Sequence, residues 1–348
     1  MAANHMGAPR RPGDPSATRR RSPSMQRREF LIAAAAAPFA LSPLGRLAEA
    51  AAAPARHGLL LVTADLAAHV VVVDGTTGRV RRRIPTREAP RSIERFGTAG
   101  AVVAHTTEGV VSLIDGDRRR VAKVLGGFSH PRYTAVHPRQ RIAYVTDSGT
   151  GEVVAIDLRR GTVLHRTDVD GPARHVSVSQ TGTRLWTALG STASRIAVLD
   201  TSTPERPRLL RRFRPPFLAH DVAIWSPTGT VWVTSGDAHR IAVYRLNGNR
   251  LIRQLTAGAA PQHVAFGAGR AFVASGDDGT VRVHAVGSGR LERTTAVPAG
   301  SYNVTTGAGR VATPSLERGT VAILDRAGHL QHERRIAASS HDACWIAV

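Results

Sequence analysis

The sequence predicts an all-β fold: a seven-bladed β-propeller of four-stranded antiparallel blades, with the ring closed by the C-terminal strand joining the N-terminal blade. Three observations predict it. Short apolar runs rich in β-branched residues, bounded by Gly, Asp, Ser or Pro, recur along the chain and read as strands. They recur in a unit of about 40 residues, the length of a propeller blade. The unit is also out of phase with the ends of the repeat region, as a closed ring requires.

One unit runs Ile142-Ala143-Tyr144-Val145-Thr146-Asp147, a Gly-containing turn, Val153-Val154-Ala155-Ile156-Asp157, a second turn and Thr162-Val163-Leu164. It finishes with Gly171-Pro172 and the strand Arg174-His175-Val176-Ser177-Val178. The second strands begin near Leu59, Ala101, Ile142, Leu185, Val231, Ala271 and Val311, at intervals of 42, 41, 43, 46, 40 and 40 residues. The third strands end on Asp74, Asp115, Asp157, Asp200, Arg245, Ala285 and Asp325. An aspartate there accepts a hydrogen bond from the backbone two residues on and opens a turn, so these acids read as structural. The propeller spans 57–348, opening on a second strand at Leu59-Leu60-Leu61-Val62 and ending on a first strand at Asp342–Val348. The last strand is therefore expected to complete the first blade and remove two exposed sheet edges.

Residues 1–24 are polar and rich in Arg and Pro, and read as disordered or as a mis-assigned start. From Met25 the chain shows a charged segment, an alanine-rich apolar stretch through Leu41 and the small-x-small site Ala48-Glu49-Ala50, the layout of a cleaved signal peptide over 25–50. Arg27-Arg28, followed by Glu29-Phe30-Leu31, resembles the twin-arginine motif. Gln26 stands where that motif has Ser or Thr, and Ile32 where it has Lys. The resemblance implies export by the twin-arginine pathway, cleavage near Ala50 and an extracytoplasmic location, periplasmic or secreted and wall-associated. Residues 51–56 read as a linker. The apolar stretch is too short to span a bilayer, and no transmembrane span follows it.

The formal charge of +21 is carried almost wholly by arginine, with Lys123 the single lysine. Residues 1–50 hold eight arginines and three acids; beyond them 39 basic residues face 23 acidic ones, a net +16. Such a surface favours anionic partners: an envelope polymer, lipid or nucleic acid. Aromatic residues at 5% argue against a stacking platform for single strands. The arginine clusters Arg81-Arg82-Arg83, Arg118-Arg119-Arg120, Arg159-Arg160, Arg211-Arg212 and Arg334-Arg335 fall at or near fourth strands. There they discourage edge-to-edge pairing, or form a basic belt. The single cysteine, Cys344, excludes an intramolecular disulfide and reads as a buried thiol in the apolar run Ala343–Ile346.

Tyr144-Val145-Thr146-Asp147 and the repeat around it resemble the YVTN (YncE-like) family of bacterial propellers, over residues 57–348. Val231-Trp232-Val233-Thr234 is a looser copy, and Ser275–Val283 is similar to a WD repeat without its Trp-Asp ending. The family resemblance implies an exported seven-bladed propeller whose members are mostly without assigned chemistry. Quinone-dependent dehydrogenase propellers are a poorer match, because four tryptophans cannot supply one per blade.

In a propeller the loops entering the first strands gather around a central funnel. The outer of the two positions ahead of each first strand reads Arg91, Arg132, Arg174, His220, Gln262, Tyr302 and His341. The inner one reads Ser92, Tyr133, His175, Asp221, His263, Asn303 and Asp342. All fourteen are polar or aromatic-polar, and the expectation is a funnel with a cationic side and an imidazole and carboxylate side. Arginine clamps a carboxylate or phosphate. The His/Asp side supplies a base near neutral pH or binds a borderline metal, with His175, His220 and His263 as candidate ligands. Against this stands a structural reading in which His or Asp at a strand start caps loop backbone and recurs with the repeat. The acids between second and third strands, among them Asp65, Asp147, Asp237, Asp277 and Glu317, sit mostly in Gly-rich turns and lack the density of a calcium loop.

No phosphate loop, nucleophile elbow, Cys-x-x-Cys pair or haem attachment motif occurs. The expectation is an exported, monomeric, non-catalytic platform without a cofactor, binding a small ligand, an envelope polymer or a protein at its funnel face. The alternative is a lactonase- or lyase-type enzyme using funnel His and Arg, with or without a divalent metal. A third is a subunit of an exported redox system.

Overall fold

The computed structural model describes residues 58–347. The upstream segment 1–24, the leader with Arg27 and Arg28, and the linker 51–56 lie outside the described residues. The described chain forms seven four-stranded sheets, each an antiparallel meander, arranged as a seven-bladed β-propeller.

Each second and third strand is apolar at nearly every position, without the alternation of a sheet that is wet on one face. The contacts explain why. Leu60, Val62, Val71 and Val73 pack with Ala312, Val321 and Ile323 of the preceding blade. Their immediate neighbours Leu61, Val70 and Val72 pack with Ala101, Val103 and Ile114 of the following one. Both faces of every blade are covered, so the strands read as continuous apolar runs, as in other doubly covered sheets. Trp186, Trp232, Tyr144 and Phe272 are the largest side chains fully enclosed between blades.

Ring closure is as expected. Ala343–Ala347 pairs antiparallel with Gly58–Ala64, in the register Leu61↔Cys344 and Val62↔Ala343. Cys344 is buried in this seam, and burial raises its thiol well above the ordinary range. The aspartates ending the third strands open the next turn: Asp74 accepts from the Thr76 and Thr77 amides, Asp157 from Arg159 and Arg160, and Asp325 from Ala327 and His329. Several also pair with a nearby arginine, as in Asp115–Arg118 at 2.7 Å and Asp200–Arg208 at 3.4 Å. Among the described residues no helix is long and apolar enough to cross a membrane.

Candidate functional site

The seven innermost strands are Pro90–Phe96, Pro131–Val136, Ala173–Val178, Val222–Trp225, Val264–Gly267, Thr305–Gly307 and Ala343–Ala347. The two sequence positions ahead of their apolar residues become two stacked rings. The inner ring, Ser92, Tyr133, His175, Asp221, His263, Asn303 and Asp342, lines a central cavity of about 160 Å³. Six of the outer seven, Arg91, Arg174, His220, Gln262, Tyr302 and His341, line a funnel cavity of about 270 Å³. Tyr133 and His263 border both cavities and form the partition between them.

Arg132 stands apart. Its Nε donates to Ser148 Oγ at 3.2 Å, and it does not line the funnel. It is still close to its neighbours: burial first, then the charges of Arg174 and Arg91, push its guanidinium below the usual range.

Buried threonines that sequence reasoning missed hold the funnel loops in place. Thr146 Oγ1 accepts from the Tyr133 amide at 3.0 Å and donates to the carbonyl of Arg174, on the next blade, at 2.6 Å. Thr234 likewise accepts from the Asp221 amide and donates to Gln262 O at 2.7 Å. Thr63 accepts from the Asp342 amide at 2.9 Å and lies 3.3 Å from Arg91 O. A hydroxyl both accepts and donates, so a single Thr links its own blade to the following one. The signal was present in the threonine of the Tyr-Val-Thr run.

Part of the inner ring is structural, as the capping reading expects. Asn303 Oδ1 accepts from the Val304 amide at 3.0 Å. Asp342 accepts from Ala343 and, across the blade boundary, from Ile93. Asp221 does the same with Val222 and Val264. Burial raises Asp342 to about 6. Asp221 is held below its ordinary value despite burial, because His263 and the Val264 amide favour its charge. Tyr302 is held by Asp277 at 3.1 Å and Glu317 at 3.2 Å, and burial with these acids raises its phenol to about 12. The His341 ring meets Arg91 O at 2.8 Å, and burial, then Arg91, keeps it well below the imidazole range.

The remaining polar groups gather on one side. The His175 ring packs tilted against Tyr133 and His220, with centroids 4.1 and 4.6 Å away, and edge-on to His263 at 4.6 Å. Burial, then the neighbouring imidazoles, holds His175 far below its usual pKa and lowers His220 to about 4. Beside them sit Arg91, 3.6 Å from Asp65, and Arg174, which has no carboxylate partner among the described residues. The Nε atoms of both arginines are buried without a hydrogen-bond partner. Of the acids between second and third strands, Asp147 is a loop cap for the Ser129, His130 and Gly149 amides, and Asp237 lines the funnel without a resolved bond.

No family model and no curated relative matches this chain by sequence. Among solved structures it is similar to hydrazine synthase from Kuenenia stuttgartiensis, with a TM-score of 0.68 and 16% identity, covering 78% of this chain and 93% of that one. It is also similar to a functionally unknown protein from Desulfotomaculum acetoxidans, at a TM-score of 0.72 and 9% identity over 83% and 99% of the two chains. The dihydro-haem d1 dehydrogenase NirN, in complex with DHE, aligns at a TM-score of 0.59 and 16% identity, over 82% of this chain and 65% of that one. At these identities the likeness establishes the fold, and fold alone assigns no chemistry.

Proposed function

We propose that this chain is an exported binding platform of the YVTN type, whose funnel takes a small anionic ligand through Arg91 and Arg174. The observation that carries the reading is the charge imbalance at the funnel floor. Burial first, then the nearby charges of Arg174 and Arg91, depress Arg132, while among the described residues the only carboxylate paired with Arg91 or Arg174 is Asp65, 3.6 Å from Arg91. Half-buried arginines with unfilled donors are a receptor for a carboxylate or phosphate, which both neutralises them and accepts their N–H groups. The cavity, about 270 Å³, suits a ligand of a few heavy atoms to metabolite size. Tyr133 and the imidazoles supply an apolar floor with polar edges.

The test is calorimetric titration with inorganic phosphate and with succinate. Arg174→Ala weakens whichever anion binds by about 10- to 100-fold, the loss of one charge-assisted pair worth about 1.5–3 kcal/mol. Equal affinity in the unaltered chain and in an Arg91→Ala/Arg174→Ala double variant sinks the reading. Export rests on the Arg27-Arg28 leader and the Ala48-Glu49-Ala50 site. N-terminal sequencing of the protein recovered outside the cytoplasm is expected to begin at Ala51, and an uncleaved chain confined to the cytosol contradicts it.

A further inference from the structure

Three imidazoles from three consecutive blades meet at the partition between the two cavities. His175 lies within Ala173–Val178, while His220 and His263 stand just ahead of Val222–Trp225 and Val264–Gly267. One ring nitrogen of each lies within 4.8 Å of the other two. His175 is 1% exposed, and neither of its ring nitrogens has a hydrogen-bond partner. The backbone of His220 approaches it without reaching hydrogen-bond geometry. A buried polar group left unpaired costs about 1–3 kcal/mol, so this imidazole lacks a partner that the protein itself does not supply.

The other two rings are oriented by groups behind them. His220 Nδ1 lies 3.0 Å from the Ser191 carbonyl, which accepts and therefore fixes the proton on Nδ1 and leaves Nε2 bare. His263 Nδ1 lies 3.5 Å from Asp221 Oδ2, and the Asp221 carboxylate is itself anchored by the Val222 and Val264 amides. A carbonyl behind one imidazole and an anchored carboxylate behind another are the supports that aim histidines at a metal.

We propose that His175, His220 and His263 form a three-histidine site for zinc, with a fourth position open to the funnel cavity. Zn–N bonds of about 2.0–2.1 Å place tetrahedral ligands roughly 3.4 Å apart, so the rings close on the ion by side-chain rotation. His220 and His263 line the funnel cavity, which gives the ion an entry path. Arg91 and Arg174 oppose a bare dication, and the buried carboxylates of Asp221 and Asp342 offset them. An anion drawn in by the arginines is the natural fourth ligand, but zinc binding by the three rings does not depend on the anion reading.

Zinc alone is therefore the probe, titrated into the metal-stripped full chain in a non-coordinating buffer against a chromophoric chelator. One zinc per chain is expected. His175→Ala and His220→Ala each weaken it by at least about 100-fold, and Asp221→Asn, which removes the support behind His263, by about 10- to 100-fold. Replacing the rim histidine His332 leaves the affinity unchanged. X-ray absorption on the zinc-loaded, unaltered chain is read alongside, so that a variant that does not fold leaves the test intact. Three imidazole nitrogens around the ion support the site. The absence of stoichiometric zinc, an ion held by oxygens alone, or full affinity in folded His175→Ala overturns it.

Discussion

At the scale of the residue, function and stability share the same few atoms. Thr146 shows why a threonine belongs in the Tyr-Val-Thr run. The methyl fills the core, while the hydroxyl accepts from one blade and donates to the next. Thr146→Val keeps the shape and removes the hydroxyl, leaving the Tyr133 amide and the Arg174 carbonyl short of a partner inside the protein. The expected loss is about 1–3 kcal/mol of unfolding free energy in urea titration. The same variant loosens Arg174 and so weakens anion binding, whereas unchanged stability shows that water replaces the hydroxyl. The polar character of all fourteen funnel positions was legible in the sequence, because a repeat places equivalent residues at equivalent sites. Which of them cap backbone and which are left unpaired was not legible. Asn303 and Asp342 satisfy backbone amides, whereas neither ring nitrogen of His175 is paired, and only the tertiary structure distinguishes the two.

At the scale of the element, each blade repeats one solution. The third strand ends in a turn opened by an aspartate wherever one is present, and the fourth strand carries arginines on the outer edge. Many of those arginines are partly neutralised: Arg81 by Asp74, Arg118 by Asp115 and Arg212 by Asp170. Around the rim, local ion pairs are thus interspersed with arginines such as Arg211 and Arg334 that have no carboxylate partner among the described residues, and positive charge of this kind discourages edge-to-edge pairing. One feature escaped the sequence altogether. The pairing of third and fourth strands shifts register in every blade, as between Val72 and Val73, Ala155 and Ile156, and Ile323 and Leu324. A bulge raises the local twist of a sheet. A bulge adds one residue to one strand without changing its composition, so nothing in the apolar pattern marks it.

At the scale of the whole molecule, the seven blades converge on a channel whose lower end carries acid. Glu94 and Asp342 both line it. Burial, then the charge of Asp342, raises Glu94 to about 7, and burial raises Asp342 to about 6. The Glu94 side chain is exposed to channel water, which screens part of the effect. Both folded-state values lie above the unfolded ones, near about 4. Between roughly pH 4 and 7 the native state therefore binds more protons than the unfolded state, and this contribution to stability is full below that window and lost as pH rises through it. The depressed histidines, His175, His220 and His341, act in the opposite sense, since acid must charge them on unfolding. The clean measurement is thus a difference. Glu94→Gln melts with the unaltered chain near pH 4.5, and its advantage in Tm grows to a plateau above pH 7. An advantage independent of pH refutes this account of Glu94.

The sequence by itself determined the number of blades, where their second strands begin and their third strands end, the closure of the ring by Ala343–Ala347 and the polar identity of the funnel positions. It could do so because those features are periodic, and periodicity is a property of sequence. The tertiary structure alone decided that Arg132 turns away to Ser148 while Arg174 faces the funnel. It also decided that His175, His220 and His263, 45 and 43 residues apart, bring ring nitrogens within 4.8 Å of one another. Closing seven blades into a ring converts a separation of one repeat along the chain into a side-chain contact around the axis, and that distance is set by the packing between blades rather than by any local pattern.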